Sequence, residues 1–493
     1  MIHATPESIG LSSRDVLAFY RHLDAYGLST HSVVLARGDR VFSECYYAPF
    51  HKDFKHRMYS VSKSFVSIAV GFCEQDGLLS LDDPMVKYLP EYLSDDANPH
   101  LRTVTIREML TMESAVERGA VNWFTSGTSD RTETYFRKTA RYKYPDTLFH
   151  YDSSGSYILG VIVERLTGKP FIEYLKDKAL REIGFSEDAY CLKVPGGHSF
   201  GDSGVMCSTY DLMLFARFVL SGGTFDGVRY LNGDYVKKAT TTSVSTNDYG
   251  FGLANAYGYG YQIWGAPRGC FAFNGMGTQV AVCDPKNDIV LAINSDNQGN
   301  ASHYEHLHAA FFTNIIDKLS DAPLPENPEA YTALQEYVQN AKLFSLPPSE
   351  SDFSEQINGK TFTCDKNPMG WKQFRFTFED GKGTLYYENA QGEKSFPFGL
   401  GYNEFAKFPE ENYADLVATV PVPGHRYDAA FSADWCEPQK LRIRVQIIDK
   451  YFGNLGIVFG FRDSDHASVR MTKTAEAFLE EYNGFLNASA TNA

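Results

Sequence analysis

Long apolar runs are missing from these 493 residues. No stretch approaches the roughly 20 apolar residues that a membrane-crossing helix needs. The opening Met1-Ile2-His3-Ala4-Thr5-Pro6-Glu7 has neither the basic start nor the apolar core of a secretory leader, so the expected compartment is the cytoplasm. Cysteine is scarce as well. The eight cysteines lie far apart without a C-x-x-C pair, which reads as free core thiols in a reducing compartment. Positive charge is in deficit: 46 basic residues face 61 acidic ones, a net charge of -15. That balance excludes nucleic acid and anionic membrane as expected partners. Tryptophan is rare at four, yet 36 Phe and 31 Tyr raise the aromatic share to 14%. Such a chain builds large cores and a pocket for apolar or sugar-like groups. Its length exceeds what one hydrophobic core sustains, so two domains are expected.

The stretch with the most chemistry is Tyr59-Ser60-Val61-Ser62-Lys63-Ser64-Phe65. Ser60 is the one serine in the chain followed by lysine at the third position. Residues three apart share a helix face, so the Ser60 hydroxyl and the Lys63 ammonium meet. A lysine that gives up its proton in a desolvated site can activate a serine. The apolar run Phe65, Val66, Ile68, Ala69, Val70 and Phe72, stopped by Asp76-Gly77, predicts a buried helix with Ser60 at its N-terminus. Free N–H groups and the helix dipole there favour a developing oxyanion. On its own the four-residue pattern is weak, and a helix cap plus a solvated lysine is then the leading reading.

Around this stretch the pattern predicts an amphipathic helix after Ser12-Ser13 and a hairpin of Ser32–Ala36 with Arg40–Tyr46. Helices follow at Ile106–Met112, Ser156–Leu166, Phe171–Ala179 and Thr209–Leu220. Strands return at Tyr257–Trp264, Cys270–Phe273, Gln279–Cys283 and Ile289–Asn294, before a helix near His303–Leu319. Strands at both ends of a helical middle imply one antiparallel sheet built from both termini, with a helical subdomain inserted. The fold class is therefore α/β (α+β), followed by a C-terminal all-β, barrel-like domain. The expected division is a catalytic domain at 1–320, a proline-marked linker at 321–350, a β domain at 351–475, and a helix and tail at 476–493, the helix starting at Thr474.

A serine and lysine need a second proton carrier, an oxyanion hole and an edge for the acyl group. Tyr151, with Ser153 two residues on, supplies a phenol and a hydroxyl at the start of a helix. Phe273-Asn274-Gly275-Met276-Gly277 lies between two strands, where glycine lets backbone approach a substrate.

These three elements resemble the class C β-lactamase-related serine hydrolases, a family of penicillin-recognising carboxypeptidases, esterases and nylon-oligomer-type amidases. The resemblance spans roughly residues 5–318, including Thr105–Ser114, Gly204–Leu212 and Tyr257–Trp264. It implies a β-lactamase/transpeptidase-like fold, Ser60 as the acylated nucleophile, Lys63 as the base or its partner, and Tyr151 as proton carrier. It also implies an oxyanion hole from the backbone N–H groups of Ser60 and Met276, with Ser153, Phe273, Asn274 and Gly275 at the substrate. No cofactor and no metal are implied. Two departures stand out: Phe273 occupies the place of a Lys or His that holds a penicillin carboxylate, and Ser153 stands where Asn is frequent. Both point to an ester or small-amide substrate. A β-lactamase, D-amino-acid peptidase or transacylase of the same family is the alternative, and a silent ligand-binding or sensing protein is a third reading. The C-terminal domain is similar to lipocalin-like barrels. The expected partner is a small ester, amide or short peptide, with a homo-oligomer left open.

Three rival signals remain. Gly197-His198-Ser199-Phe200-Gly201 fits a nucleophile elbow but has no strand before it or helix directly after it. His303-Tyr304-Glu305-His306-Leu307-His308 has the look of a metal cluster without a second ligand group. Glu410-Glu411 reads as a solvated acidic loop.

Overall fold

The structure, a computed structural model, describes residues 1–95, 97–114, 130–136, 143–249, 252, 255–412, 422–475 and 479–491. The chain divides into two compact units that meet in sequence at Lys342 and Leu343.

The first unit is built on a seven-stranded sheet. Its strands are β1 (Ile2–His3), β2 (Thr30–Arg37), β3 (Arg40–Tyr46), β4 (Trp264–Gly265), β5 (Phe271–Gly275), β6 (Gln279–Asp284) and β7 (Ile289–Ser295), in the order β1-β3-β2-β7-β6-β5-β4. Only the short β1–β3 pairing is parallel. The strands from both ends of the unit meet where β2 lies antiparallel to β7, Val33 opposite Ile293. Successive side chains on a strand face opposite ways. Val33 and Leu35 accordingly join one core with α1 (Ser13–Ala25), while Val34 and Ala36 join the other with α2 (Ser62–Gln75).

Further helices are α3 (Ile106–Leu110), α4 (Ser153–Thr167), α5 (Thr209–Leu220), α6 (His303–Asn314) and α7 (Pro328–Asn340). The segment Phe171–Leu175 is also α-helical, and Lys176–Leu180 continues it as a π-helix. α7 falls inside the expected linker yet lies in the first unit, with Leu334 fully buried and Tyr337 stacked on Tyr20 at 5.5 Å.

One expected strand does not form as such. From Tyr257 to Trp264 the backbone curls, and only Trp264–Gly265 pairs as strand. Gln262 sits at φ 57° and Gly258 at φ 88°, both incompatible with extended chain.

The second unit is a barrel. Its strands are β8 (Thr361–Cys364), β9 (Gln373–Glu379), β10 (Lys382–Asn389), β11 (Gly392–Leu400), β12 (Glu404–Lys407), β13 (Asp428–Glu437), β14 (Lys440–Ile448), β15 (Phe452–Asp463), β16 (His466–Thr474) and β17 (Gly484–Ala490). The sheet runs β11-β10-β9-β8-β17-β16-β15-β14-β13-β12. A parallel pairing of β11 with β13, Gly399 opposite Ser432, closes nine of these strands on themselves. Closure removes exposed strand edges.

Two expectations are corrected here. The helix expected from Thr474 is replaced by strand: β16 ends at Thr474, and Gly484–Ala490 pairs with β16 and β8. Leu486 and Ala488 face inward while Phe485 and Asn487 face out, a period of two that only the barrel partners select. Residues 476–478 lie outside the described residues. Glu410 is not solvated: it is 1% exposed and accepts from Tyr387 Oη, Tyr482 Oη and Asn389 Nδ2, with Lys394 Nζ at 3.3 Å.

Candidate active site

Ser60 is placed by a short 3-10 turn, Tyr59–Val61, that leads straight into α2. Tyr59 has φ 47°, left-handed backbone that a tyrosine adopts only when its surroundings impose it. Here the ring is 2% exposed and the Arg57 guanidinium lies over it at 4.3 Å. The turn is pinned from both sides. His56–Arg57 pairs with Val205–Cys207, Met58 N–H donates to Val205 O at 2.8 Å, and Val205 N–H donates to Ser62 Oγ at 3.0 Å. α2 itself is buried from Ser62 to Cys73, with Phe65, Val66, Ile68, Ala69 and Val70 fully enclosed, as befits a helix inside a core.

Lys63 is 1% exposed. Its Nζ donates to Ser60 Oγ at 2.9 Å and to the Asp202 main-chain O at 2.7 Å. The same Nζ lies 5.0 Å from the centre of the Tyr151 ring. The structure thus gathers Ser60, Lys63 and Tyr151 in one place.

Tyr151 stands two residues ahead of α4. The following Asp152 is 5% exposed and accepts from Ser114 Oγ at 2.8 Å and from Ser154 Oγ, which anchors the start of α4. A Cβ on Gly155 would come within 2.6 Å of Asp152 Oδ2, so only glycine leaves room there. The Tyr151 ring stacks on Trp264 at 5.6 Å and 23°. Trp264 in turn meets Tyr259 edge-on at 4.7 Å, and Phe149 lies 5.2 Å from Tyr259. These rings and Met112 form an aromatic shelf beside the Lys63 ammonium. Ser153, half-buried, begins α4 next to this shelf.

The β5 edge runs past the serine turn. A Cβ on Gly275 would sit 2.5 Å from Met58 O, a contact that bars any side chain and lets the two backbones close up. Tyr304 of α6 donates its hydroxyl to Gly275 O at 2.8 Å. Burial and the neighbouring Tyr151 push the Tyr304 phenol far above its ordinary range, so it stays a donor. Met276, 37% exposed, follows at the turn.

Asn274 is buried, its Nδ2 donating to Asn255 Oδ1 at 3.0 Å. Phe273 is not brought to the site. It is fully buried, with its ring 5.4 Å from Phe215 and 6.0 Å from Phe271. The residue expected at the family's cation position is core packing.

Several contributors carried no signal in the sequence. Gln262 ties three elements together: its O accepts from Ser64 Oγ at 2.8 Å, its Oε1 from Ser156 Oγ at 2.6 Å, and its Nε2 donates to Met109 O at 2.9 Å. Asp202 approaches Lys63 from a loop 139 residues away. Neither could be found without the folded chain.

The candidate nucleophile and ligands of the rival motifs are engaged otherwise. Ser199 is 3% exposed, and the adjacent His198 ring pairs with Glu164 Oε2 at 3.0 Å. His303 Nδ1 bonds Thr278 Oγ1 at 2.6 Å, and burial lowers its pKa to about 4. His306 stacks on Tyr26 at 4.2 Å. Among the described residues no group of three or more His, Cys, Asp or Glu could hold a metal ion.

A family model described as "Beta-lactamase" matches residues 18–313. The chain belongs to the β-lactamase family. The β-lactamase domain is similar to the 6-aminohexanoate-dimer hydrolase of Paenarthrobacter ureafaciens, 26% identical over 308 residues, covering 58% of this chain and 78% of that protein. Penicillin-binding protein 4 of Amycolatopsis lactamdurans is 25% identical over 301 residues, covering 54% of this chain and 77% of its own. Among solved structures, a penicillin-binding protein homologue from Caulobacter crescentus superposes with a TM-score of 0.51 at 16% identity, over 64% of this chain and 99% of that one. That likeness is one of fold. Among the described residues no helix is long and apolar enough to cross a membrane.

Proposed function

We propose that this β-lactamase-family protein is a serine hydrolase that opens ester or small-amide bonds through an acyl-enzyme on Ser60. The observation that carries the reading is the 2.9 Å contact of Lys63 Nζ with Ser60 Oγ beneath the Tyr151 ring. In this reading Ser60 Oγ attacks the carbonyl carbon, and its proton passes to the Lys63/Tyr151 pair. The oxyanion forms at the backbone N–H groups of Ser60 and Met276, a pairing that the close approach of Gly275 to Met58 supports. The pair then protonates the leaving alcohol or amine. Water enters by the reverse route and releases the acid.

The aromatic shelf favours an acyl or leaving group with apolar bulk. Phe273, buried where the resemblance expects a cation, offers no charge to a penicillin carboxylate, which favours neutral esters and amides over β-lactams. The 6-aminohexanoate-dimer hydrolase among its relatives supports the amide side of that range.

Intact-mass spectrometry after fluorophosphonate treatment tests this directly. The expected result is one adduct, on Ser60, and none on the Ser60→Ala variant. Ser60→Ala is also expected to lose hydrolysis of p-nitrophenyl esters and amino-acid amides, while Ser199→Ala retains it. A folded wild-type chain that takes no label at Ser60 overturns the reading.

A further inference from the structure

The residue beneath Lys63 has no part in the scheme so far. Asp202 is 2% exposed, and its main-chain O holds Lys63 Nζ at 2.7 Å. Its carboxylate Oδ1 is buried without a hydrogen-bond partner among the described residues. Three cations flank the loop that carries it. Lys63 comes from α2, Arg57 from the strand His56–Arg57, and Arg131 from the segment Arg131–Phe136. Arg57 and Arg131 are both fully buried. Their guanidiniums lie 5.3 and 4.6 Å from the Phe200 ring, two residues before Asp202. Arg57 also donates to Ser203 O at 3.0 Å and to Ser203 Oγ at 2.9 Å. The loop is wedged in place: a Cβ on Gly201 would meet Val66 of α2 at 3.0 Å and Gly160 of α4 at 3.7 Å.

A buried carboxylate with an unused oxygen is costly unless neighbouring charge compensates it. Buried cations repel one another at low dielectric, and the carboxylate and the cations each offset part of the other's cost. We propose that Asp202 is a positioning residue for hydrolysis: its carboxylate is the counter-charge that keeps the Lys63 ammonium seated between Ser60 Oγ and the Asp202 main-chain O, against repulsion from Arg57 and Arg131. The inference rests on the Ser60 acyl-enzyme reading and adds to it an anion that acts through Lys63 without touching substrate.

The consequence is a dependence on pH set by Asp202. Burial raises its carboxyl to about 6, while Lys63, Arg131 and Arg57 pull it down in that order. Tyr157 of α4 and the Cys191 thiol also sense its charge, and both are held neutral far above their ordinary range by burial. Asp202 is therefore the group in this cluster that changes charge in the working range. Once it takes up a proton, this counter-charge is gone and the ammonium loses its seat.

The test is a kcat/KM profile from pH 5 to 8 with a p-nitrophenyl ester, on wild type, Asp202→Asn, Asp202→Glu and Ser60→Ala, each checked for folding by circular dichroism. The wild type is expected to lose activity through an acid limb near pH 6. Asp202→Asn is expected to be about a hundredfold slower at pH 8, the lower range of what positioned proton transfer contributes, and to show no limb. Asp202→Glu is expected to recover a limb at a displaced pH. If Asp202→Asn does not fold, the displaced limb of Asp202→Glu decides. A wild type flat from pH 5 to 8, or folded Asp202 variants with the wild-type limb and rate, overturns the inference. Activity surviving in Ser60→Ala would instead sink the acyl-enzyme reading, so the two failures are told apart.

Discussion

The same carboxyl makes a prediction about stability that needs no substrate. Asp202 titrates at about 6 in the folded chain against an ordinary 3.8, because burial penalises its charged form. The sign follows by linkage. A carboxyl raised on folding contributes stability that is fully present below 3.8 and is lost as pH rises through about 6. The gap between those two values corresponds to about 3 kcal/mol, at 1.36 kcal/mol for each tenfold change in proton affinity. That is a large part of the roughly 5–15 kcal/mol by which folded domains are stable. Asparagine at this position cannot ionise. Asp202→Asn should therefore gain on the wild type between pH 4 and 6.5, and the difference should stay level above that. Urea unfolding followed by circular dichroism at pH 4, 5, 6, 7 and 8 measures both proteins under matched conditions, and other titrating groups cancel in the difference. The absolute offset reflects how well the amide fits. Its change with pH, about 3 kcal/mol in favour of the variant, isolates the charge. A difference that is constant from pH 4 to 8 refutes the argument. A difference that moves in favour of the wild type as pH rises refutes it equally, because it would mean that the cations more than repay the burial.

Three further outcomes are expected. Gly275→Ala forces a Cβ to within 2.5 Å of Met58 O, so ester turnover should fall about a hundredfold, the range of a lost oxyanion donor, and initial-rate assays on the folded variant decide it. Tyr304→Phe deletes the 2.8 Å bond to Gly275 O; unfolding should weaken by about 1 kcal/mol while kcat drops more than KM, and unchanged kinetics would detach α6 from the site. Phe273→Ala should cost about 3–5 kcal/mol by opening a cavity against Phe215 and Phe271, and Phe273→Lys should unfold the domain without bringing nitrocefin hydrolysis, as read by melting and absorbance.

Much of the candidate site was legible because its parts are local. Ser60 and Lys63 are three apart on one helical turn, and that spacing alone places the ammonium near the hydroxyl. Tyr151 and Gly275 lie in short motifs that resemble the family's, although Ser153 and Phe273 depart from them. The hidden parts are those whose meaning depends on distant partners. Asp202 sits in a glycine-rich loop that reads locally as a turn, and only the pairing of His56–Arg57 with Val205–Cys207 brings that loop under Lys63. Phe273 shows why a motif position is not a side-chain direction: strand alternation turns it into the core with Phe215.

The fold divides in the same way. Apolar periodicity was enough for α1, α2, α5 and the β2–β3 hairpin, since a period of 3.6 or 2 is written in consecutive residues. Gly484–Ala490 is strand because β16 and β8 offer it edges, and the backbone near Gln262 curls because Ser64, Ser156 and Met109 converge on one residue. By itself the sequence determined that a serine and a lysine share a helical turn in a β-lactamase-family domain ahead of a β domain. Only the tertiary structure decided which charges meet near that lysine, because burial and long-range pairing bring Arg57 and Arg131 to the loop whose Asp202 holds its ammonium, and no local pattern encodes such a meeting.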